Sequence, residues 1–510
     1  MFAVLLNRMA QKTEKLAEAA GREPLYSRAD KLVAAAAAVV SGAVYFYTAM
    51  PNVGLLDSGE FNVAAQHFGV PHPTGYPLWT ILAWLFQLLP LGNAAWEINL
   101  FSGLCGALAV GMTTLLASSM LRWMMPYWGD EERPAPPAAV ALIAGSFSLL
   151  FAFSFSVWTQ AVIAEVYTLH CLVISLFLAS LYWWVRRPDK DLPILAVFFT
   201  FALGMSNHHL TLALAPMPLL VPLLVRRSVF WEVLVAAMVS AAIVYLGFAW
   251  LSKDPTTWST AMRFFYFALT GLLVLLALKW RRADVRLVLL VPVAVIAGLL
   301  PYAYMPIASS TNPPMNWGYT RTPEGFFYSI NRTQYAGSLS DLIVRTLGKG
   351  MGTVPEKPPE PTDPDRVSTL ELGREFSAFY WRKLVENFTL WSAIAFFASV
   401  IAVLRLPLHQ RTFLYLLLLG FMLAAFLQPI MERTETTIDS WSLQFPYHGY
   451  AYLMFSLVCA AGTGFVLARA ASARPALRHA AWLLPLLPLW TGIQNEPLCS
   501  QRGHWFGWDY

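Results

Sequence analysis

The chain has few charged residues and few cysteines. Charged residues make up 13% of its 510 residues, whereas a soluble domain usually carries about 25%. Three of the 4 cysteines lie in apolar runs, which argues against a disulfide framework. No CxxC pair occurs, which argues against a zinc site. Basic residues precede the first long apolar run, but no small-residue cleavage site follows it. A cleaved signal peptide is therefore not expected.

Long apolar runs dominate the sequence instead. The chain is 57% hydrophobic, and its mean hydropathy is +0.52. About 13 runs approach the roughly 20 residues that a helix needs to cross a bilayer. They lie near 31–49, 97–121, 137–154, 167–185, 192–206, 209–225, 230–250, 260–279, 286–305, 386–403, 412–429, 450–469 and 478–493. The sequence predicts an all-α polytopic membrane protein, a bundle of about 13 transmembrane helices.

The distribution of basic residues sets the predicted orientation. Positively charged loops stay in the cytoplasm. If the N-terminus is cytoplasmic, every basic cluster falls on the cytoplasmic side. These clusters lie at 22–31, 186–190, 226–227, 279–286, 405–411 and 469–478. The same loops account for the net charge of +5, so no nucleic-acid partner is expected.

This orientation divides the chain into three parts. Residues 1–30 are predicted to be a cytoplasmic segment, and 31–493 the transmembrane domain. Residues 494–510 are predicted to lie outside, and a further soluble domain could begin there. Two outer loops are long, 50–96 and 306–385. The first is expected to carry interfacial helices, because aromatic and leucine residues at 78–92 suit a helix lying in the membrane surface.

The first outer loop places two carboxylates, Asp57 and Glu60, just beyond the first predicted span. Residues at i and i+3 share a helix face. One carboxylate could act as a general base while the other orients it or binds substrate. A capping box, with Asp57 as N-cap and Glu60 at the third position, explains the same pair. The two interpretations are compatible.

A turn rich in proline and glycine follows in the same loop and contains His72 and Tyr76. Prolines and glycines fix a non-helical backbone there. A rigid loop can hold a polar group at a reaction centre. His72 could bind a phosphate or a sugar hydroxyl, and Tyr76 is a further candidate for substrate binding. The alternative is a turn that only anchors the interfacial helix.

Other polar residues occur at the outer ends of predicted spans. Glu165 and His170 lie in a largely apolar stretch, where ionisable residues are costly and tend to be functional. Asn207, His208 and His209 form a second group. Adjacent histidines point in different directions on a helix, so a phosphate or sugar contact is favoured over a joint metal site. A hydrogen-bonded turn would explain this second group equally well.

The long outer loop supplies the candidate cations. Arginine binds phosphate through two parallel hydrogen bonds, so Arg321 and Arg332 are the candidates for a lipid phosphate. Trp317 and Tyr335 offer flat faces for a sugar or an acceptor, and Asn316 precedes Trp317.

Several of these motifs together resemble one family. They are Asp57-Ser-Gly-Glu60, His72-Pro-Thr-Gly-Tyr-Pro77, Asn316-Trp-Gly318 and Arg332-Thr-Gln-Tyr335. The family is the multi-pass group that includes the animal ER enzyme O-mannosylating plexin-type receptor domains, together with many bacterial members. A weaker resemblance lies at 503–508, where Trp505 replaces the usual aspartate.

The resemblance implies a GT-C fold and a GT-C type of reaction. Such enzymes use a polyprenyl-phosphate sugar donor and place a catalytic carboxylate in the first outer loop. Asp57 is then the implied base and Glu60 its neighbour. The implied partners are the lipid-linked donor, a protein or glycan acceptor and membrane lipids. The implied location is the bacterial inner membrane with the site facing the periplasm, or the ER membrane with a lumenal site in a eukaryote. Neither a metal nor another cofactor is expected.

Two other functions use the same residues. A transporter or flippase of lipid-linked sugars would need the phosphate contacts but no base. It would also tend to need polar residues across the bilayer midplane, whereas the cytoplasmic halves of the predicted spans look nearly all apolar. A non-catalytic assembly subunit would use the loops to bind partners.

Overall fold

The computed structural model describes residues 24–55, 57–129, 136–251, 271, 285–330, 332, 369–427 and 444–505. Over these ranges all secondary-structure elements are helices, apart from a single β-bridge between Val70 and Asn316. The predicted span at 260–279 lies almost wholly outside them.

The first part of the chain supplies ten α-helices and one long 3-10 turn. They are α1 (Arg28–Thr48), α2 (Asp57–Gln66), α3 (Pro77–Phe86), α4 (Ala94–Trp128), α5 (Pro137–Phe153), α6 (Phe155–Ala161), α7 (Tyr167–Arg186), α8 (Leu192–Asn207), the 3-10 turn His209–Leu214, α9 (Pro216–Val225) and α10 (Phe230–Leu251).

The second part supplies eight more. They are α11 (Val285–Leu299), α12 (Tyr304–Ser310), α13 (Pro323–Ile330), α14 (Thr369–Asn387), α15 (Leu390–Val403), α16 (Leu408–Met422), α17 (Gly449–Ala473) and α18 (Leu486–Cys499). A 3-10 turn at Phe445–His448 leads into α17, and another at Pro475–Leu483 precedes α18.

The prediction of an all-α, multi-pass membrane protein is confirmed. In the described part of the chain, 6 helices are long and apolar enough to cross a membrane, or up to 8 if each of two bent pairs is one span. The predicted number of about 13 is not confirmed. One bent pair is α5 with α6, at 67°, and the other joins α14 to α15, at 116°.

Helix boundaries differ from the hydropathy pattern in two places. α4 continues beyond the predicted run at 97–121 to Trp128. A helix of 35 residues is about 52 Å long, which exceeds the roughly 30 Å hydrocarbon layer. The run at 386–403 is interrupted between Asn387 and Leu390, where the chain bends sharply from α14 into α15.

Ionic contacts hold α1 and α4 together at the end opposite the first outer loop. Asp30 caps α1 through reciprocal hydrogen bonds with Ser27. Its carboxylate also accepts a hydrogen bond from Arg122 at 2.9 Å and from Ser118 at 2.6 Å. These contacts explain why α4 extends past its apolar run, because the charged Arg122 finds a partner there.

The first outer loop folds into the two short helices α2 and α3. The predicted interfacial helix at 78–92 is present but shorter, as α3 ends at Phe86. The side chain of Gln87 donates to the carbonyls of Ala65 and Gln66, which ties the end of α3 to the end of α2.

The described parts of several predicted outer loops meet at one end of the bundle, which we call the outer end. Trp158 donates from Nε1 to Thr48 Oγ1 at 2.9 Å, and the Gln501 backbone N–H donates to the Thr48 carbonyl at 2.9 Å. Asn207 donates to the Val166 carbonyl at 3.1 Å. The connections after α1, α6 and α8 therefore share one polar region.

Close packing of α15 on α17 gives a test of the fold. A Cβ added at Gly462 would overlap the Ala395 carbonyl oxygen, whereas a Cβ at Gly145 would meet only Val33 Cγ1, at 3.9 Å. We expect Gly462→Ala to lower the free energy of unfolding by about 1–3 kcal/mol. Gly145→Ala should be neutral or stabilising by up to about 1 kcal/mol. Unfolding in detergent measures both, and equal stability of the two variants would contradict the packing.

Candidate functional site

The first turn of α2 holds both predicted catalytic carboxylates. Asp57 opens the helix and is exposed, and Glu60 lies one turn further on. The partial positive charge of a helix N-terminus stabilises negative side chains at this position.

Glu60 binds the next predicted residue, His72. Its Oε1 accepts the His72 backbone N–H at 2.5 Å, and its Oε2 lies 3.2 Å from His72 Nδ1. In a capping box the third-position side chain bonds back to the start of its own helix. Both hydrogen bonds recorded for the Glu60 carboxylate go to His72 instead. The carboxylate therefore joins α2 to the turn that contains His72.

The rigid turn predicted around His72 is present. The Gly75 N–H donates to the His72 carbonyl at 2.7 Å, and Gly75 has a φ of +82°, which glycine adopts without strain. Tyr76 also has a left-handed backbone and begins α3. Its hydroxyl lies 3.0 Å from His72 Nε2. Both ring nitrogens of His72 are thus engaged, one by Glu60 and one by Tyr76.

Asp57, Glu60 and His72 could also hold a metal ion. Each offers one ligand atom, and these atoms lie within 4.8 Å of one another. Carboxylate and imidazole ligands suit a divalent ion such as Mn²⁺ or Zn²⁺. Glu60 and His72 are also hydrogen-bonded to each other. That no metal is needed remains a prediction.

A third carboxyl group, Glu165, lies in the connection between α6 and α7 and is buried. Burial raises the pKa of the Glu165 carboxyl well above its usual range, and the negative charge of Asp57 raises it further. The Glu165 backbone is fixed to Ser102 Oγ by its N–H, at 3.1 Å. A protonated carboxyl can donate a hydrogen bond, which Asp57 and Glu60 cannot do when ionised.

The three predicted histidines beyond α6 form one cluster, in which His170 and His208 are buried and His209 is half-buried. His208 stacks on His209 with ring centroids 4.5 Å apart, and its ring lies 5.5 Å from that of His170. Arg332 Nη1 lies 2.9 Å from His209 Nδ1. A guanidinium can only donate, so His209 accepts. The predicted arginine and the predicted histidine are therefore brought together across 123 residues.

Tyr76 joins the carboxylates to this histidine cluster. Its ring lies 5.5 Å from the ring of His208, while its hydroxyl contacts His72. Asn207 reaches the same region and donates to the Val166 carbonyl, while its Oδ1 has no hydrogen-bond partner among the described residues. These residues form a continuous row, which we call the polar strip. Its members, in order, are Asp57, Glu60, His72, Tyr76, His208, His209 and Arg332.

The remaining predicted residues lie beside this strip or outside the described ranges. Asn316 pairs with Val70 in the bridge, and the Trp317 ring lies 6.4 Å from the His72 ring. Arg321 instead contacts Asn312 and the face of Tyr319, with its Cζ 5.6 Å from the ring centroid, and it is exposed. Tyr335 lies outside the described residues.

Three tyrosines that were not predicted as site residues line the histidine cluster. Tyr167 and Tyr447 have ring centroids 5.6 and 6.1 Å from that of His208. Tyr450 lies 5.0 Å from His170. Tyrosine at the outer end of a span usually marks the membrane interface, so the sequence alone did not separate a site role from that one.

The fold and the site define a polytopic membrane protein with a carboxylate, histidine and arginine site at the outer end of its helices. Residues 57–231 match the family model described as the N-terminal domain of protein O-mannosyl-transferase TMEM260. This range contains both carboxylates, His72 and the histidine cluster. The predicted resemblance to this glycosyltransferase family is therefore confirmed.

Two relatives carry the same name. Protein O-mannosyl-transferase TMEM260 of Mus musculus is 29% identical over 303 residues, which are 58% of this chain and 33% of the mouse protein. The Dictyostelium discoideum protein is 24% identical over 207 residues, 37% of this chain and 23% of that protein. The chain thus matches about a third of the length of the mouse relative and a smaller share of the Dictyostelium relative.

One solved structure is similar over most of its length. ArnT from Cupriavidus metallidurans, bound to undecaprenyl phosphate, has a TM-score of 0.30 and 14% identity, covering 91% of this chain and 79% of that one. With a TM-score this low, the similarity carries no conclusion about this chain.

Proposed function

We propose that the protein is an inverting glycosyltransferase. It moves one sugar from a polyprenyl-phosphate donor to a hydroxyl acceptor, a serine or threonine of a protein. The observation that carries the proposal is the continuous strip from Asp57 to Arg332, because it pairs a possible base with a cation at one end of a membrane bundle. The names of the relatives support mannose as the sugar and a protein as the acceptor.

In this mechanism Asp57 is the general base. The acceptor oxygen attacks the anomeric carbon, the bond from that carbon to the phosphate oxygen breaks, and Asp57 takes the acceptor proton. Asp57 is the better base of the two carboxylates because it is exposed, while Glu60 is bound by His72. Glu60 orients the site instead.

Arg332 compensates the charge of the departing lipid phosphate. Fixed cationic donors stabilise charge that develops in a transition state. Arg332 lies against the half-buried His209, whereas Arg321 is exposed and contacts Asn312 and Tyr319. We therefore assign the phosphate to Arg332 and not to Arg321. His170, Asn207 and Glu165 are assigned to the donor side of the same strip.

The proposal includes a location and an orientation. The protein is placed in the bacterial inner membrane, with residues 1–30 in the cytoplasm and 31–493 as the transmembrane catalytic domain. The outer end faces the periplasm, and 494–510 lie on that side. The basic loops support this orientation.

A reconstituted system tests the proposed function. The purified protein is placed in liposomes with radiolabelled polyprenyl-phosphate mannose and a serine- and threonine-containing acceptor protein, with protein-free liposomes as control. We expect label in the acceptor, with an anomeric configuration opposite to that of the donor. Label that only changes leaflet would instead identify a transporter of lipid-linked sugars.

A further inference from the structure

The connection from α1 to α2 leads directly to Asp57. Its described residues, 49–55, form neither a helix nor a strand, and we call them the linker. Backbone groups in such a segment must find their hydrogen-bond partners in other elements. The Met50 backbone N–H donates to the Val162 carbonyl at 2.8 Å, which ties the start of the linker to the end of α6. The carbonyl groups of the linker are bound from α4.

Two asparagines at the start of α4 hold three successive carbonyl groups of the linker. Asn99 Nδ2 donates to the carbonyls of Met50 and Asn52, at 2.9 Å each. Asn93 Nδ2 donates to the carbonyl between them, that of Pro51, at 3.1 Å. Asn93 is exposed and also caps α4, whereas Asn99 is fully buried. Asn99 therefore provides two of the three bonds from inside the protein.

The orientation of the Asn99 amide follows from these partners. Carbonyl oxygens only accept hydrogen bonds, so the NH₂ group of Asn99 faces both of them. Its Oδ1 is buried and has no hydrogen-bond partner among the described residues. A buried acceptor without a partner is unfavourable, so packing alone would favour an apolar side chain here. The two hydrogen bonds to the linker explain why an asparagine is present.

The linker in turn packs closely on the first turn of α2. A Cβ added at Gly54 would lie 2.7 Å from Ser58 Oγ, 3.0 Å from Ser58 Cβ and 3.1 Å from Met50 Sδ. A Cβ added at Gly59 would lie 3.2 Å from the Gly54 carbonyl oxygen. Ser58 and Gly59 directly follow Asp57 in the sequence. The position of the linker therefore sets the position of the turn that carries the proposed base.

We propose that Asn99 is a positioning residue for Asp57. Its two hydrogen bonds hold the linker against α4, and the close packing at Gly54 holds the first turn of α2 against the linker. A general base must lie within hydrogen-bond reach of the proton that it takes. The inference rests on the proposed function, in which Asp57 is that base.

The test is a double-mutant cycle of Asn99 and Asp57 in the reconstituted transfer assay. Leucine resembles asparagine in shape but cannot donate, so Asn99→Leu removes both hydrogen bonds to the linker. A misplacement of about 1 Å can cost about 100-fold in rate, so we expect Asn99→Leu to lower kcat by about 30–100-fold. In the Asp57→Asn background the loss should shrink to about threefold or less, because the base is already absent. A purely structural loss would be the same in both backgrounds.

Asn387→Leu is the matched control for this cycle. Asn387 is also buried, its Nδ2 donates to the Lys383 carbonyl at 2.9 Å, and its Oδ1 likewise has no partner in the described part of the chain. That hydrogen bond stays within α14 and does not reach the linker. Asn387→Leu should therefore keep kcat within about twofold of the wild-type value.

Gly54→Ala tests the packing step without changing Asn99. The added methyl group would overlap Ser58 Oγ, so the first turn of α2 must shift. We expect kcat to fall by about tenfold, and by about threefold or less in the Asp57→Asn background. Gly145→Ala is the control, because its Cβ would meet only Val33 Cγ1, at 3.9 Å.

The outcomes separate this inference from the proposed function. If wild type transfers sugar, but Asn99→Leu loses the same factor in both backgrounds or loses nothing, the positioning role is wrong and the proposed function stands. If wild type transfers sugar from no polyprenyl-phosphate donor, the proposed function is wrong and the inference falls with it. Unfolding temperatures in detergent show that each variant is folded before rates are compared, and Gly54→Ala decides the question if Asn99→Leu does not fold.

Discussion

Replacing Asp57 by asparagine is expected to slow sugar transfer severely and to leave donor binding intact. Asparagine keeps the size and polarity of the side chain but cannot take a proton from the acceptor. A general base contributes about 10²–10⁴-fold to a rate, so we expect kcat to fall by about 10³-fold. The measurement is the initial rate of label transfer from polyprenyl-phosphate sugar, together with binding of the same donor.

Glu324→Gln is the matched control for this prediction. Glu324 is an exposed carboxylate in the first turn of α13, as Asp57 is in the first turn of α2. Glu324→Gln should leave both the transfer rate and donor binding within about twofold of the wild-type values, because surface substitutions usually have small effects. Undiminished transfer by Asp57→Asn would exclude a catalytic base at this position. Loss of donor binding in parallel with transfer would assign Asp57 to binding instead.

The class of fold could be predicted from the sequence because lipid imposes a simple rule. Backbone groups in a bilayer must be satisfied internally, so long apolar runs become helices. The ends of these helices depend on contacts that hydropathy does not record. α4 continues to Trp128 with Arg122 bound to Asp30, two residues 92 positions apart. The bend between α14 and α15 likewise lies inside a run that reads as one apolar segment.

The site could be predicted in its residue types but not in its pairings. Asp57, Glu60 and His72 lie in one loop, and their proximity follows from short separations along the chain. The contact of Arg332 with His209 joins residues 123 positions apart, and no local pattern reveals it. For the same reason the sequence could not tell which of Arg321 and Arg332 lies near the histidines. The structure shows that Arg332 does. Tyr447 and Tyr450 were missed because interfacial tyrosines are common at span ends.

Replacing Arg332 by alanine is expected to be the second most damaging change. A fixed donor to developing negative charge is worth about 10²–10³-fold in rate, and Arg332→Ala should lower kcat/KM for the donor by that factor. Arg332→Lys should recover only part of the loss, because lysine keeps the charge but not the planar pair of donors. Arg321→Ala is the control, since this exposed arginine contacts Asn312 and Tyr319 outside the histidine cluster.

Inhibition by the product tells which part of the donor Arg332 binds. Free polyprenyl phosphate carries the phosphate without the sugar, so its inhibition constant should rise at least tenfold in Arg332→Ala and stay unchanged in Arg321→Ala. If Arg332→Ala lowers kcat/KM but leaves the inhibition constant unchanged, Arg332 contacts the sugar of the donor and not its phosphate. Equal losses in the two arginine variants would contradict the assignment, because the contact of Arg332 with His209 would then make no difference to the donor.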